Sequence, residues 1–299
     1  MRPYILSASR RMDVPAFQLP AFLRHAEGGV LSRPNPFSGK EESVVLTGPH
    51  VAGIVFWTRR PAALLPEMPR IRRLWGDRLR VQFSLTGMPR SLEPHSPEAD
   101  EVVAAVGALA RQLAPTHLIW RYDPILLSAH SPASWWVAQF RRLAPRLVPL
   151  VDHAVISWLD LHARTRRNLT AGPAPGWLNP SATERAELLA ELREIAQELG
   201  MTLKSCCEPE LQAWGLESAC CLDGAWFEQR LGLLPGALAS RPSRPGCTCS
   251  INRDVGLYNQ CAFGCRYCYA NARPQKVVVD DPWEKAPGLP DEALEIRSV

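Results

Sequence analysis

The chain has 299 residues, enough for one large domain or two small ones, and long enough for a single α/β barrel. A composition that is 46% hydrophobic and 21% charged excludes collagen, coiled coil and low-complexity disorder; 34 basic against 30 acidic side chains leave +4, which permits nucleic acid as a partner but does not argue for it. No run approaches the ~18 apolar residues of a membrane span, and Met1–Ser7 lacks the long apolar core of a secretory signal, so the expectation is no membrane and a cytoplasmic chain with reduced thiols.

Six short runs rich in β-branched, aromatic or aliphatic residues read as buried parallel strands. They are Tyr4–Ala8, Gly53–Trp57, Leu79–Leu85, His117–Trp120, Ala154–Trp158 and Thr202–Ser205. Helical spacing fills the gaps at Ala16–Glu27, Ala62–Trp75, Asp100–Leu113, Ala133–Leu147 and Glu184–Leu199. Ser96-Pro97-Glu98 reads as a cap with Pro in the first turn. Ser181-Ala182-Thr183-Glu184 has the form of a capping box, with Gly200 as the stop. Strand–helix alternation at this spacing implies a parallel sheet with right-handed crossovers.

Each strand runs out into polar residues: Ser7 to Arg11, Thr58 to Arg60, Ser84 and Thr86, Arg121 to Asp123, Ser157 and Asp160, and Lys204 to Cys206. Six polar exits converging on one face favour a full or partial (β/α) barrel over an open doubly wound sheet, and no Gly-rich dinucleotide fingerprint follows any strand. Residues 1–239 read as the barrel-like domain, 240–273 as a cysteine-rich segment at its mouth, and 274–299 as a loosely packed or disordered tail. The 28 prolines, roughly twice the usual share, are spread through connections and read as rigid loops.

The nine cysteines all fall between Cys206 and Cys268. In a reducing compartment such clustering favours metal or an iron–sulfur cluster over disulfides. Cys261, Cys265 and Cys268 have the spacing C-x3-C-x2-C. Three thiolates this close can each take one iron of a cubane and leave the fourth iron open to an outside ligand; Gly264 lets the backbone come close. A structural zinc site, which wants four ligands, is the competing reading, and no His lies near the triad.

The context Gly264-Cys265-Arg266-Tyr267-Cys268-Tyr269 resembles the cluster loop of the radical S-adenosylmethionine (SAM) superfamily. The resemblance implies a [4Fe–4S] cluster on Cys261, Cys265 and Cys268, with SAM chelated by the open iron and cleaved to a 5′-deoxyadenosyl radical. It implies Tyr267 beside the adenine, an electron donor such as flavodoxin or ferredoxin, and a full or partial (β/α) barrel. In most of the superfamily the triad follows the first barrel strand, whereas here it follows six strand–helix units, a circular order of the same parts. Residues 4–271 also resemble a bacterial family catalogued as domain of unknown function 1848. The matching pieces are Ser7 to Phe17, Val55 to Thr58, Phe83 to Gly87, Trp120 to Pro124, Arg244 to Cys249, and Cys268 to Asn271. That resemblance favours Cys206, Cys221, Cys247 and Cys249 as a further set, which would close a second [4Fe–4S] cluster or a zinc site; Cys207 and Cys220 are extra neighbours.

At a barrel mouth Arg10, Arg11, Arg121 and Asp123 could hold SAM or substrate, since Arg suits bidentate recognition of carboxylate and phosphate. Asp13 and Asp160 stand at similar exits. A rim ion pair is the plainer reading for any one of them. Trp57, Trp120 and Trp158 read as packing, and Arg164-Thr165-Arg166-Arg167 as a solvated basic face. Two functional classes follow. One is a radical SAM-type enzyme acting on a small or macromolecular substrate, with nucleic-acid lesion repair as one variant. The other is a non-catalytic zinc or iron–sulfur protein, such as a nucleic-acid-binding module.

Overall fold

The computed structural model describes residues 2–35, 38–170, 176–272 and 279–284. In chain order the elements are β1 (Tyr4–Ala8), α1 (Val14–Phe17), α2 (Leu19–Glu27), β2 (Val30–Pro34), β3 (Glu41–Val45), β4 (Val51–Thr58), a 3-10 stretch at Pro61–Glu67, α3 (Met68–Trp75), β5 (Leu79–Ser84) and α4 (Ala99–Ala110). They continue with β6 (Leu118–Arg121), α5 (Ala133–Leu147), β7 (His153–Ile156), α6 (Ala163–Thr170), α7 (Ala182–Glu198), β8 (Leu203–Ser205), α8 (Pro209–Ala213), β9 (Glu217–Ser218), α9 (Gly224–Leu231) and β10 (Asn252–Asp254).

Each of the six expected strands is present within two residues of its expected bounds. They belong to one eight-stranded, wholly parallel sheet with the order β10-β1-β4-β5-β6-β7-β8-β9. Strands that follow one another lie side by side, and the last returns to pair with the first through Ile5↔Asn252 and Ser7↔Asp254. Backbone pairing does not close the sheet, whose edges are β9 and β10. The segments around those edges still meet, because Ser250 N donates to Leu222 O at 3.0 Å. The β2–β3 hairpin forms a separate antiparallel pair.

The two-residue period of the strands divides the core. Leu6, Ile54, Phe56, Val81, Phe83, Trp120 and Ile156 pack with the helices in the larger apolar cluster. There Trp120 stacks on Phe140 of α5 with ring centroids 5.1 Å apart. Ile5, Val55, Ile119 and Val155 face the other way and join a smaller cluster with Leu222, Trp226 and Phe227. The segment carrying α9 fills this inner face. A side chain at Gly53 of β4 would stand 2.4 Å from the Phe227 ring, so only glycine admits it. Arg80 of β5 reaches Asp223 at 3.2 Å, and Gln82 donates to Cys221 O at 2.5 Å.

Several boundaries moved for local reasons. The expected helix 16–27 breaks at Gln18 (φ −130°), with Asp13 capping the first part and Pro20 opening the second. The helix expected at 62–75 starts as a 3-10 stretch because Pro66 and Pro69 lack the N–H donors an α-helix needs. α4 is capped by Glu98, whose N–H donates to Glu101, while Ser96 Oγ is buried without a partner. α7 has the expected box: Ser181 N donates to Glu184 Oε2 at 2.8 Å, and Glu184 N to Ser181 Oγ at 3.2 Å. The cysteine-rich segment adds β10 to the main sheet. Much of the tail lies outside the described residues. Within 279–284, Trp283 is buried and its Nε1 donates to Val255 O at 2.9 Å.

Candidate metal centre

The seam between β10 and β1 is built around Asp254. Its buried carboxylate accepts Ser7 Oγ at 2.8 Å, Ser9 Oγ at 2.7 Å, Arg10 N at 3.0 Å and Gly256 N at 2.9 Å. Arg11 Nη1 pairs with it at 3.2 Å and Arg10 Nε at 3.6 Å. Burial opposes the charge, but Arg11, Arg10 and the donors hold the pKa below the ordinary carboxylate value. A Cβ at Gly256 would lie 1.8 Å from Ser9 Oγ, so the chain turns there only because it has none.

From this seam the cysteine loop runs across the C-terminal ends of the strands. Phe263 packs 4.8 Å from Phe17 of α1, and Arg266 N donates to Leu92 O at 2.9 Å. α6 holds the far side: Thr165 Oγ1 donates to Tyr267 O at 3.2 Å and Asn168 Nδ2 to Asn271 O at 3.0 Å. The run Arg164–Arg167 is therefore one turn of a clamping helix with Thr165 fully buried, and the guanidinium groups of Arg164 and Arg11 both lie over the Tyr258 ring, at 5.4 and 5.5 Å.

Within the loop Gly264 has φ +68° and turns the chain between Cys261 and Cys265. Cys268 N donates to Cys265 O at 3.1 Å, and Ala270 N donates to Cys268 Sγ at 3.4 Å. Burial pushes the Cys261 thiol up, reinforced by Asp13 and Cys265. Burial likewise takes Cys265 up to about 12, with Arg59 opposing, and raises Cys268. Cys268 bears on both other thiols and Cys265 on Cys261, so the three sit in one electrostatic neighbourhood. Beside them Arg59 Nη1 pairs with Glu93 Oε2 at 2.8 Å, Thr86 Oγ1 donates to Glu93 Oε1 at 3.1 Å, and the Tyr267 hydroxyl hydrogen-bonds both Arg59 and Glu93. A cavity of about 250 Å³ opens next to this network, lined among others by Arg59, Thr86, Met88, Glu93 and Arg142.

The other six cysteines gather on the inner face of the sheet. Cys206 Sγ lies 3.4 Å from Cys221 Sγ and 3.9 Å from Cys207 Sγ. Cys220 and Cys221 both act electrostatically on Cys249, whose backbone N–H donates to Cys247 Sγ at 3.5 Å. Cys206, Cys221 and Cys249 are buried, whereas Cys207, Cys220 and Cys247 are half-buried. Hydrogen bonds from Cys207 and Cys221, with Arg121 nearby, pull the Cys206 thiol below its ordinary value against the effect of burial. Among the described residues no three or more His, Cys, Asp or Glu side chains stand in a ready metal-holding arrangement. Both groups nevertheless offer the right donors for a thiophilic metal: free, clustered thiols, with N–H···S bonds that favour the thiolate a metal needs.

A family model described as domain of unknown function (DUF1848) matches residues 5–270. The chain belongs to the DUF1848 family. No curated protein and no solved structure matches it.

In this DUF1848 chain the other expected site residues are drawn into internal networks. Arg121 pairs with Asp123 through Nε at 3.0 Å and through Nη2, and its Nη1 donates to Cys221 Sγ at 2.9 Å and to Gln82 Oε1 at 3.3 Å. Asp123 also accepts Ser157 Oγ at 3.1 Å. Trp57 lies under the Arg121 guanidinium at 5.5 Å, and its Nε1 donates to Ser7 Oγ at 3.1 Å. Tyr267 is only 7% exposed; the aromatic with an open face beside the triad is Tyr269, at 41%, whose hydroxyl donates to Arg10 O at 2.8 Å. Arg10 also reaches Asn252 Oδ1 at 3.1 Å, and Asp160 pairs with Arg244. Sequence reasoning missed Asp254, Glu93 and the partnership of Arg59 with Tyr267. Asp254 lies in a strand of three residues with no periodicity to read, and Glu93 lies in an irregular loop. Only Arg59 carried a signal, as the polar exit of a strand. No helix among the described residues is long and apolar enough to cross a membrane.

Proposed function

We propose that this protein is a radical SAM-type enzyme built on an opened (β/α) barrel whose strands run in circularly permuted order. The observation that carries this reading is the parallel pairing of β10 with β1. It makes the strand that leads into C-x3-C-x2-C the neighbour of the first strand of the chain. The loop therefore leaves the same C-terminal edge as the six polar strand exits, the edge where barrel enzymes keep their chemistry.

Cys261, Cys265 and Cys268 would hold a [4Fe–4S] cluster with one iron free of protein ligands. Reduced, such a cluster supplies the electron that cleaves SAM. The chain's own contribution is geometric. Asp254 with Ser7 and Ser9 anchors the loop's root, and Thr165 and Asn168 anchor its far end. Tyr267, fixed by Arg59 and Glu93, sets the height of the loop over the strand ends. Tyr269 offers an aromatic face for the adenine in place of the buried Tyr267. The cavity beside Arg59 and Arg142 is the volume for a substrate, with a lining in which Arg59, Arg90 and Arg142 are balanced by Glu93, Glu98 and Asp100. Loading must displace three protons from thiols that burial keeps protonated, so it is favoured at raised pH.

Anaerobic reconstitution with iron and sulfide, followed by EPR of the dithionite-reduced protein with and without SAM, tests this reading. About four irons on the triad and a SAM-shifted signal are expected, both lost in Cys265→Ala. A reduced protein whose spectrum ignores SAM, or a triad that takes only zinc, overturns it.

A further inference from the structure

The thiol loop crosses the C-terminal ends of the strands. At the N-terminal ends of β5 and β6 lies a separate cavity of about 950 Å³. Four arginines line it: Arg72 and Arg73 from the last turn of α3, Arg78 from the turn before β5, and Arg230 from the last turn of α9. Asp77 is the one acidic side chain of the lining, so four guanidinium groups against one carboxylate leave an excess of three positive charges. His117, also in the lining, adds none, because burial lowers its pKa.

Elsewhere guanidinium groups that meet inside the fold face carboxylates, as Arg80 faces Asp152 and Asp223, and Arg59 faces Glu93. In this hollow the partners are neutral. Arg72 Nη2 donates to Gln112 O. Arg78 donates to Trp75 O at 3.1 Å and to Val51 O at 2.8 Å. Arg230 donates to Thr116 Oγ1 at 3.2 Å and to Trp226 O at 3.5 Å. Arg73 has no hydrogen bond or ion pair among the described residues. Helix C-termini attract cations, which accounts singly for an arginine at the end of α3 and one at the end of α9. It does not account for four around one hollow, since the carbonyls take only part of each five-donor fork. Like charges gathered without a counter-charge repel, and an anion relieves them.

The lining also selects the anion. Guanidinium forks match phosphate oxygens in pairs. One phosphate brings about two negative charges and leaves the hollow unbalanced, whereas two or three linked phosphates match it. Trp226 offers no open face to a base: it is buried, and Arg230 lies 3.5 Å over its ring. The positive surface is confined to the hollow. On one side it ends at Arg70, paired with Glu27 at 2.9 Å and Glu67 at 3.1 Å, and on another at Asp152, whose charge bears on Arg230. A compact oligoanion fits such a site better than an extended nucleic-acid strand.

We infer that this hollow binds an oligophosphate chain, free or as part of a nucleoside polyphosphate, and that its occupancy pins α9 to the N-terminal ends of β5 and β6. Arg230 already bridges α9 to Thr116, and the ligand would draw Arg72, Arg73 and Arg78 onto the same group. The inference is independent of the radical SAM reading, because no residue of the hollow belongs to the thiol loop.

Calorimetric titration of the full-length protein with inorganic tripolyphosphate, ATP and orthophosphate, without divalent cations, tests it. Tripolyphosphate should bind with Kd below about 100 μM, and orthophosphate at least about tenfold more weakly. Saturating tripolyphosphate should raise the melting temperature above that in sodium chloride of equal ionic strength. Arg230→Ala should weaken tripolyphosphate at least about tenfold, and Arg73→Ala, which removes a side chain with no partner to lose, at least about fivefold. Arg141→Ala, an exposed charge on α5 outside the hollow, should leave Kd within about twofold. Equal affinity for ATP assigns the phosphates as the whole recognised group, and an excess of about tenfold for ATP, lost with the same variants, assigns the nucleotide as the source. No binding at about 1 mM tripolyphosphate overturns the proposal, as does equal weakening by all three variants. A single-stranded oligonucleotide that binds more tightly than tripolyphosphate and is lost with Arg73→Ala and Arg230→Ala also overturns it, in favour of a nucleic-acid surface.

Discussion

Ser9 Oγ and Asp254 Oδ1 lie 2.7 Å apart although 245 residues separate them along the chain. The bond belongs to a carboxylate with further donors from Ser7, Arg10, Arg11 and Gly256, and it joins the first strand to the last. Replacing Asp254 by Ala leaves two arginines and two hydroxyls beside an apolar gap. A loss on the order of 3–5 kcal/mol in unfolding free energy is expected, as for other broken buried ion pairs. Denaturant titration reads it directly, and a loss under about 1 kcal/mol would mean that the seam is held by something else.

The Arg59–Glu93–Tyr267 network gives a second, independent test. Arg59→Ala strands a buried Glu93 without its cation, whereas Tyr267→Phe removes one hydroxyl and keeps the ion pair. The first should cost several times more than the second, roughly 3–5 against 1–2 kcal/mol. Equal costs would show that the carboxylate is not ion-paired in solution.

Asp13 predicts a pH slope. Burial raises its pKa to about 6, against hydrogen bonds from Arg59 N–H, the Thr58 side chain and Ala16 N–H that favour the charged form. The unfolded carboxyl loses its proton near pH 4, so between about pH 4 and 6 the folded state holds a proton the unfolded state has lost. Stability contributed by this residue therefore falls as pH rises through that window, by on the order of 3 kcal/mol, and is lost above it. Asp13→Asn should remove that part of the slope. Parallel melting-temperature profiles for the two proteins between pH 4 and 7 would rule the effect out.

Gly53 tests how the inner face is filled. Gly53→Ala places a Cβ 2.3 Å from Arg78 O and 2.4 Å from the Phe227 ring. Backbone and ring must both yield, so about 2–4 kcal/mol of destabilisation is expected. Gly53→Ala combined with Phe227→Leu should recover part of it. Failure of the second change to help would move the clash from the ring to the carbonyl.

The fold was largely legible because its main strands are buried on both faces and read as unbroken apolar runs, as at Gly53–Trp57 and Leu79–Ser84. Ala133–Leu147 and the Ser181 box were legible because helical spacing and caps are local signals. What failed to register depends on distant partners. β10 is three residues long and exists because β1 needs a neighbour. α6 read as a charged surface because its anchoring residues, Thr165 and Asn168, are polar. The clustering of the cysteines was plain, but not which sulfurs meet, since the approach of Cys206 to Cys221 is set by the curl of the sheet. The resemblance puts Tyr267 beside the adenine, and nothing in the sequence signals that its hydroxyl turns inward to Glu93 and Arg59.

The pairing of β10 with β1 also sets an order of events during synthesis. β1 leaves the ribosome with an outer edge whose neighbour, β10, is not made until residues 252–254. Until about residue 254 appears, that edge offers free N–H and C=O groups to any passing strand, the hazard of an unprotected sheet margin. Synthesis must therefore pass residue 254 before Tyr4–Ala8 acquire their final surroundings, and the thiol loop that follows cannot be seated earlier. Truncation before residue 252 should bare β1 and favour aggregation, and any metal taken by the thiol loop could be seated only after β10 has been made.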